Sequence, residues 1–316
     1  MKSKLLFLIL IICTSNIILS CTKDFYLENS IAEYQVKVIL PDSFLYFSDL
    51  DITEILEDHI GDNNVLVLHS ELYELTGLEN KRIEKYNSEF GYNSGVLDSY
   101  SLKSNTTYQL LYYLEIQGES DSFYDKADLR DLKLKSERNT IATGLNKECF
   151  IGEMKLQGGF EGYCDSIVLK SPFSFFELHP TDIESYLKNS RHLADSIYVR
   201  LEYLGFYPIS FDISINRPSA SINDAIINNR VSLSDLTSYS EYLISDFIFM
   251  SGPQSAVDVR VTLSSVSDFS ELISISEIKI KLEHGKRFRV SKPFFTGNKD
   301  GIEIDTSFND DIIIPI

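Results

Sequence analysis

Four cysteines are the residues of this sequence that could most directly carry chemistry, because a thiolate can be acylated or oxidised. They are Cys13, Cys21, Cys149 and Cys164. The chain begins with two early lysines, the apolar run Leu5–Ile12 and, further on, Ser20 directly before Cys21. A basic start, a short apolar run and a small residue form a secretory signal peptide. Since a membrane span needs about 20 apolar residues, we interpret residues 1–20 as a cleaved signal.

The residues that end this signal indicate a lipid anchor. Ile18-Leu19-Ser20-Cys21 resembles the lipobox of bacterial lipoproteins, although Leu19 stands where Ser or Ala is commoner. The resemblance implies cleavage before Cys21, acylation of its thiol and new amino group by fatty acids such as palmitate, and a tether over residues 21–30. Each buried acyl CH₂ contributes about 0.8 kcal/mol, so more than one chain anchors stably. The alternative is an ordinary secretory signal followed by an incidental cysteine.

Cys149 and Cys164 remain in the mature chain, in a compartment that permits disulfides. They could form a disulfide, or both could be buried free thiols. The glycine-rich turn at residues 158–162 is centred past the midpoint between the two cysteines. A simple hairpin would therefore not place them opposite each other. We favour two buried free thiols.

The charge of the chain excludes several classes of partner. Of 316 residues, 29 are Lys or Arg and 47 are Asp or Glu, and no tryptophan occurs. Loss of the signal removes two lysines and no acids, which gives the mature chain a net charge of −20. Phosphate binding needs a basic face, so we expect no nucleic-acid partner. Anionic lipid would not attract this chain either, so membrane attachment must come from the acyl anchor.

No pattern for catalysis or metal binding occurs. The five histidines are scattered, without a HExxH pair. Asp305, Asn309, Asp310 and Asp311 lack the spacing of an EF-hand. Phosphate loops and the G-x-S-x-G elbow are also missing. We expect no cofactor, no metal and no enzymatic activity, although a carboxylate hydrolase would leave no local trace in sequence.

The pattern of apolar residues predicts an all-β chain. Short alternating runs separated by turn signals are typical of antiparallel sandwiches. The predicted strands cover residues 34–40, 65–73, 108–116, 150–156, 167–178, 197–203, 209–215, 243–250, 257–263, 273–282, 302–304 and 312–314. Short helices are predicted at 52–60 and 182–188, and a loop or weakly paired edge at 81–104. The apolar positions change parity between Ile275 and Ile278, which predicts a bulge or a tight turn there. We place an N-terminal sandwich at residues 31–190 and a C-terminal sandwich at 191–316.

Several separated stretches, in a shared order, resemble the fimbrillin-like surface proteins of Bacteroidetes. These stretches are Thr107–Tyr113, Phe123-Tyr124, Asp128-Leu129, Phe150-Ile151-Gly152, Val168–Phe173, Tyr242–Phe247, Arg289–Gly297 and Ile302–Asp311. The resemblance implies two tandem transthyretin-like β-sandwiches behind a lipoprotein signal. It also implies a pilus subunit or a related surface lipoprotein, assembled by addition of a strand from a neighbouring subunit.

Pilus members of that family are cut by a trypsin-like protease beyond the first strand. No arginine occurs between Cys21 and Lys81. A cut would therefore have to use Lys37, inside a predicted strand, or Lys81 and Arg82, in the predicted loop. Without an early site, the first strand and its anchor would stay in place.

Two functions follow from these observations. The first is a lipid-anchored protein of the outer membrane, at the cell surface, that serves a fimbria as a component or as an anchor or tip subunit. Its partners would be other pilus subunits or a surface ligand. The terminal Asp310–Ile316 could be a donor or closing strand. The alternative is a non-polymerising surface lipoprotein that binds a glycan or peptide, or a carbohydrate hydrolase, with tyrosine and phenylalanine available for sugar stacking.

Overall fold

The structure is a computed structural model. It describes residues 30–40, 65–77, 80–89, 96–117, 122–137, 140–141, 147–159, 163–189, 195–237, 242–266, 272–296, 304–305 and 311–314. The signal peptide, Cys21, the tether up to residue 29 and the predicted helix at 52–60 lie outside these residues, as do Asn309 and Asp310.

The described chain consists almost entirely of strands. They are β1 (Ile31–Ile39), β2 (Val65–Leu75), β3 (Asn80–Glu89), β4 (Val96–Lys103), β5 (Thr107–Gln117), β6 (Tyr124–Asp125), β7 (Leu132–Leu134), β8 (Ser136–Glu137), β9 (Thr140–Ile141), β10 (Cys149–Gln157), β11 (Tyr163–Val168), β12 (Phe173–Pro180), β13 (Ser196–Tyr203), β14 (Phe206–Asp212), β15 (Arg217–Asn223), β16 (Ile226–Ser232), β17 (Ile244–Phe249), β18 (Gln254–Ser265), β19 (Leu272–Glu283), β20 (Arg287–Lys292), β21 (Ile304–Asp305) and β22 (Asp311–Ile314). One short α-helix, α1 (Ile183–Asn189), follows β12, and three single turns of 3-10 helix cover Leu129–Asp131, Ile213–Ile215 and Asp235–Thr237. The all-β prediction is confirmed.

Two sheets form the first sandwich. One has the order β11-β1-β4, and the other has the order β10-β5-β2-β3. Every second residue of β1 is buried, as expected for a strand with one face on a core. The core between the sheets contains Tyr34, Val36, Val38, Leu66, Leu68, Leu72, Tyr100, Leu102, Tyr108, Leu110, Tyr112, Leu114, Ile116, Phe150, Leu156, Ile167 and Leu169.

A second and larger core lies on the other side of β5. Strand β5 is buried on both faces, with Leu110 and Tyr112 in the first core and Leu111 and Tyr113 in the second. The remaining sheets surround this second core. Their orders are β17-β12-β20-β22, β21-β19-β18-β13-β16-β9-β8 and β15-β14-β7-β6. The sheet of β5 is therefore a layer shared by both cores.

Strand pairing crosses the boundary that the sequence predicted at residues 190/191. Strand β12 pairs with β17 and β20, β7 pairs with β14, and β9 pairs with β16. Each of these pairs joins a strand before residue 190 to a strand after it. The hydrogen-bonded sheets therefore do not divide at that position.

The predictions for individual strands, loops and helices agree with the structure in some places and not in others. Of the two alternatives predicted for 81–104, the loop is wrong and the edge is confirmed, because β3 and β4 occupy most of the segment and each is an edge strand of its sheet. The bulge or turn predicted between Ile275 and Ile278 is wrong, because the register with β18 continues without a shift through both residues; the register shift lies earlier, at Ile273, between Leu272 and Ser274. Pro172 separates β11 from β12, so the predicted strand 167–178 is two strands. The predicted helix at 182–188 is α1.

Candidate functional site

Strand β1 occupies a slot between two strands of the first sandwich. It pairs in parallel with β11, from Tyr34 opposite Tyr163 to Ile39 opposite Val168. On its other side it pairs antiparallel with β4, from Ile31 opposite Lys103 to Val38 opposite Val96. The first described strand is thus the central strand of its sheet. Removal of this strand would leave a groove as wide as a single strand, bounded by two unpaired edges.

The inward face of β1 fills the apolar floor of this slot. Ala32, Tyr34, Val36 and Val38 are buried, and the two valines are fully so. Burying a side chain of valine size contributes about 1.5–3 kcal/mol. Alternate side-chain pockets of this kind determine the register of an inserted strand, while the main-chain bonds supply affinity.

Both ends of the slot are tied by hydrogen bonds. The amide of Ser104 donates to the carbonyl of Ser30 at 2.9 Å, and the Ser104 hydroxyl donates to the same oxygen at 3.1 Å. At the far end, the amide of Leu169 donates to the carbonyl of Ile39 at 2.9 Å. Strand β1 is therefore fixed over its full length.

A hydroxyl network joins the two sheets beside the slot. The phenol of Tyr100 on β4 lies 3.2 Å from Ser70 Oγ, 3.1 Å from Tyr112 Oη and 3.1 Å from an Asp98 carboxylate oxygen. Burial raises the pKa of Asp98, although the hydrogen bonds from Tyr100 and Tyr112 act in the opposite direction. This network supplies polar partners across a mostly apolar core.

The C-terminal strand closes a different sheet. Strand β22 pairs antiparallel with β20, from Val290 opposite Asp311 to Arg287 opposite Ile314. It has one neighbour and lies at the edge of its sheet. The sequence left two roles open for this segment, a donor strand for a neighbouring subunit or a closing strand for its own fold. The pairing with β20 within the chain is that of a closing strand.

The residues predicted for proteolytic processing are not in a loop. Lys81 and Arg82 lie in β3, paired with Glu74 and Tyr73 of β2. Arg82 Nη1 contacts the buried Glu71 carboxylate at 2.9 Å and donates to the carbonyl of Ala127 at 2.7 Å. A protease needs an extended, unpaired segment, so strand pairing protects this site. Lys37 points to solvent, but its backbone lies within the ladder of β1.

Glu71 explains why Arg82 is held. Its carboxylate is fully buried and accepts hydrogen bonds from the Tyr73 phenol at 2.6 Å and from the amide of Leu129 at 2.9 Å. Lys85 Nζ lies 3.1 Å from the same carboxylate. The pairing attaches the segment around Leu129 to β2 and β3.

The two remaining cysteines do not form a disulfide; both are free. Cys149 begins β10, which belongs to the sheet of β5. Cys164 lies on β11, in the other sheet of the sandwich, where it is opposite Gln35 of β1. Strands in different sheets do not bring these two thiols together. Cys149 is buried, as expected, but Cys164 is exposed, because it lies on the outer face of β11. Burial raises the pKa of the Cys149 thiol, which keeps it protonated and unreactive.

The motifs that carried the family resemblance have structural roles. Gly152 on β10 leaves room for Ile167 and Leu169, since a Cβ there would lie 2.8 Å from a side-chain carbon of each. Asp182 accepts hydrogen bonds from the amides of Phe295 and Thr296 at 2.9 and 2.7 Å, which fixes the turn after β20. These residues explain the fold; they do not form a reactive site.

Buried charges on β5 and β12 are also paired. Burial acts to raise the pKa of Glu115, but hydrogen bonds with His69, Lys126 and Ser122 lower it to about 2. Glu177 receives Arg287 Nη2 and Arg289 Nε at 2.9 Å each. Burial again acts to raise its pKa, and His179 and the two arginines lower it to about 2.

Within the described residues, no group of three or more His, Cys, Asp or Glu side chains could hold a metal ion. Asp305 and Asp311 are in β21 and β22. Where the structure describes helix, none is long and apolar enough to cross a membrane.

Sequence reasoning found β1 but missed the charged residues of the cores. Glu71, Lys147, Glu177 and Asp246 are almost completely buried. A buried charge is paired with residues distant in sequence, so no local pattern marks it. The only signal was the position of Asp246 within the strand motif Tyr242–Phe247.

The molecule belongs to the class of all-β sandwich proteins, and its first described strand fills a central slot. Its sequence matches, over residues 76–316, the model of a family described as "Family of unknown function (DUF6562)". The chain therefore belongs to that family. None of the curated proteins matches it in sequence.

Several solved structures resemble it with low identity. The fimbrial anchor protein Mfa2 from Porphyromonas gingivalis is 8% identical, with 83% of this chain and 91% of that chain covered and a TM-score of 0.42. The tip fimbrial protein Mfa3 from the same organism is 9% identical, with 83% and 94% covered and a TM-score of 0.41. A fimbrial assembly protein from Parabacteroides distasonis is 12% identical, with 88% and 94% covered and a TM-score of 0.39. All three of these proteins are described as fimbrial.

Proposed function

We propose that this protein is a lipid-anchored cell-surface subunit of a fimbria or adhesin, which anchors or caps a fibre and keeps its own first strand. The observation that carries the proposal is the placement of β1 between β4 and β11, paired on both sides. A slot of this form accepts one strand, so it can be filled by the chain itself or by a neighbouring subunit, but not by both.

The basic residues near β1 support the anchoring role over the polymerising one. A subunit that receives a neighbour's strand must first lose its own. Lys37 lies within the β1 ladder, and Arg82 is held by Glu71 in the β2–β3 pair. With neither site open to a trypsin-like protease, β1 stays in its slot and links the fold to the anchor at Cys21.

The anchor is tested by replacing Cys21 with serine. We expect the Cys21→Ser protein to leave the membrane fraction and to lose incorporation of labelled palmitate. Cys164→Ser is the matched control, because Cys164 is the exposed cysteine among the described residues; it should remain in the membrane fraction with full labelling. Membrane retention and labelling of Cys21→Ser would refute the lipid anchor.

The retained strand is tested with trypsin on intact cells, followed by terminal sequencing of the surface protein. We expect the chain to keep residues 31–39 and to occur at the base or tip of fibres. A mature form that begins after Lys37 or Arg82 would instead assign the protein to the polymerising subunits.

The slot itself is tested with a chain that lacks residues 31–39. A synthetic peptide of residues 31–39 should restore its melting temperature, and a peptide carrying Val36→Asp should not.

Glycan binding is a second candidate function, supported by one exposed aromatic group. Tyr86 on β3 is 51% exposed, and its ring centre lies 6.3 Å from that of Tyr100, near the Asp98 carboxylate. An accessible tyrosine ring beside a carboxylate can stack on a sugar and accept its hydroxyl hydrogens. Binding on a glycan panel that Tyr86→Ala abolishes and Tyr86→Phe retains would support this role. If no glycan on the panel binds, this second candidate function is excluded.

A further inference from the structure

A lysine and an aspartate lie in contact inside the second core. Lys147 stands two residues before β10, and Asp246 lies on β17. The side chain of Lys147 is 1% exposed and that of Asp246 is 0% exposed. The Lys147 ammonium nitrogen contacts Asp246 Oδ1 directly. An isolated pair of charges so far from water carries a large desolvation cost. Burial lowers the pKa of Lys147, which favours the uncharged amine.

Two phenols hold the other oxygen of the carboxyl group. Tyr203 Oη donates to Asp246 Oδ2 at 2.7 Å, and Tyr207 Oη donates to the same oxygen at 2.9 Å. Burial raises the pKa of both phenols, so they remain protonated donors. Two fixed donors on one carboxyl oxygen would stabilise negative charge that develops there during attack on the carbon.

Tyr207 also contacts the amine. Lys147 Nζ donates to Tyr207 Oη at 2.6 Å, while the same hydroxyl donates to Asp246 Oδ2. One hydroxyl thus accepts a hydrogen bond from the amine and donates one to the carboxyl group, so it holds Nζ beside the carboxyl group and stabilises charge on Oδ2. The proton that nitrogen loses can pass directly to Oδ1, which Nζ contacts. The backbone of Lys147 is held as well, because the Tyr124 phenol donates to its carbonyl at 2.8 Å.

From this geometry we propose that Lys147 and Asp246 condense to an internal amide. A proton passes from the ammonium group to the carboxylate, and the free Nζ attacks the carboxyl carbon Cγ. The tetrahedral intermediate carries its negative charge on Oδ2, beneath the two phenols. Oδ1 leaves as water after it takes the proton lost by nitrogen, and an Nζ–Cγ bond remains. One water is released, nothing is oxidised or reduced, and no further reactant is needed.

The surroundings favour this reaction over its reverse. Fixed proximity replaces a bimolecular encounter, and a closed apolar core excludes the water that hydrolysis requires. The neighbours are aromatic: the rings of Tyr203 and Tyr207 are 4.6 Å apart. The amide would join the end of the shared sheet next to β10 to the sheet of β17, and so cross-link two walls of the second core.

Peptide mapping of the purified mature protein tests the proposal. We expect a branched tryptic peptide that joins the Lys147 segment to the Asp246 segment, lighter than the sum of the two by one water molecule. Trypsin should not cut after Lys147. Recovery of the two segments as separate linear peptides, with cleavage after Lys147, would overturn the proposal. This readout uses the natural chain, so it does not depend on the folding of a variant.

The role of Tyr207 is tested with two tyrosine variants, each followed over time after synthesis. Tyr207→Phe removes the hydroxyl that contacts both groups, and we expect the branched peptide to form at least about 100-fold more slowly. Tyr203→Phe is the matched control, because it removes one donor to Oδ2 and leaves the contact with Nζ; it should slow formation less. Formation in Tyr207→Phe at the natural rate, in a folded protein by circular dichroism, would refute this role of Tyr207.

Discussion

The first and last described strands, β1 and β22, are bound to the fold in different ways. Strand β1 has two neighbours and a buried face that includes Val36 and Val38. Strand β22 has a single neighbour, β20, and lies at the edge of its sheet. Removing β1 exposes a core, whereas removing β22 exposes one strand edge. We therefore expect β1 to control stability and β22 to be the strand that exchanges more readily.

The largest effect should come from a charge on the inner face of β1. Val36→Asp removes apolar burial and places a carboxylate without a partner in the first core. We expect a loss of at least about 4 kcal/mol in the free energy of unfolding, measured by chemical denaturation. Lys37→Asp, on the outer face of the same strand, should change it by less than about 0.5 kcal/mol. Equal effects at both positions would mean that β1 does not fill the slot.

The sequence pattern predicts that β1 is a strand, but it does not predict which strands β1 pairs with. The alternation of Tyr34, Val36 and Val38 predicts a half-buried strand and its inner face. Its partners, β4 and β11, are about 65 and 130 residues further along the chain, and no local pattern encodes such pairing. The central slot was therefore visible only in the structure.

Charged residues could not be placed from the sequence alone. The polar composition around Lys81 and Arg82 leaves a loop and a weakly paired edge open. In the structure, Glu71 is buried on the neighbouring strand and holds Arg82 and Lys85 in a paired edge. A buried partner on another strand thus decides between alternatives that local composition leaves open. For the same reason no local pattern predicted the contact between Lys147 and Asp246.

Acid should weaken the sheet of β22 through Glu177. Its pKa is lowered from an ordinary value of 4.5 to about 2, so its ion pairs stabilise the fold fully above pH 4.5. That contribution is lost as the pH falls from 4.5 towards 2, and amounts to about 3 kcal/mol. Glu177→Gln should show a smaller loss of stability over this range in urea titrations. Glu184→Gln, at an exposed position on α1, is the control and should follow the natural protein. An unchanged acid dependence in Glu177→Gln would exclude this carboxylate as the cause.

Truncation of the last strand should have a moderate effect. Deleting residues 311–316 removes the ladder between β22 and β20, whose freed groups can then bind water. Because a net hydrogen bond contributes about 0.5–1.5 kcal/mol, we expect a loss of about 2 kcal/mol by chemical denaturation. A peptide of residues 310–316 should restore it. Deleting residues 31–39 should be far more damaging; if the two deletions cost the same, the contrast between a central and an edge strand is wrong.

The smallest effect should come from Arg82, and it bears directly on whether β1 is retained. Arg82 is 41% exposed in its side chain and shares Glu71 with Lys85, so Arg82→Ala leaves the buried carboxylate partly paired. We expect a loss of about 1 kcal/mol, with Lys81→Ala as a neighbouring control near zero. The informative measurement is limited trypsin digestion, in which Arg82→Ala loosens β3 and should speed cleavage at Lys81 and Lys85. If the natural protein is already cut at Lys81 or Arg82 as fast as this variant, β3 does not protect the site, and the chain could lose β1 in the manner of a polymerising subunit.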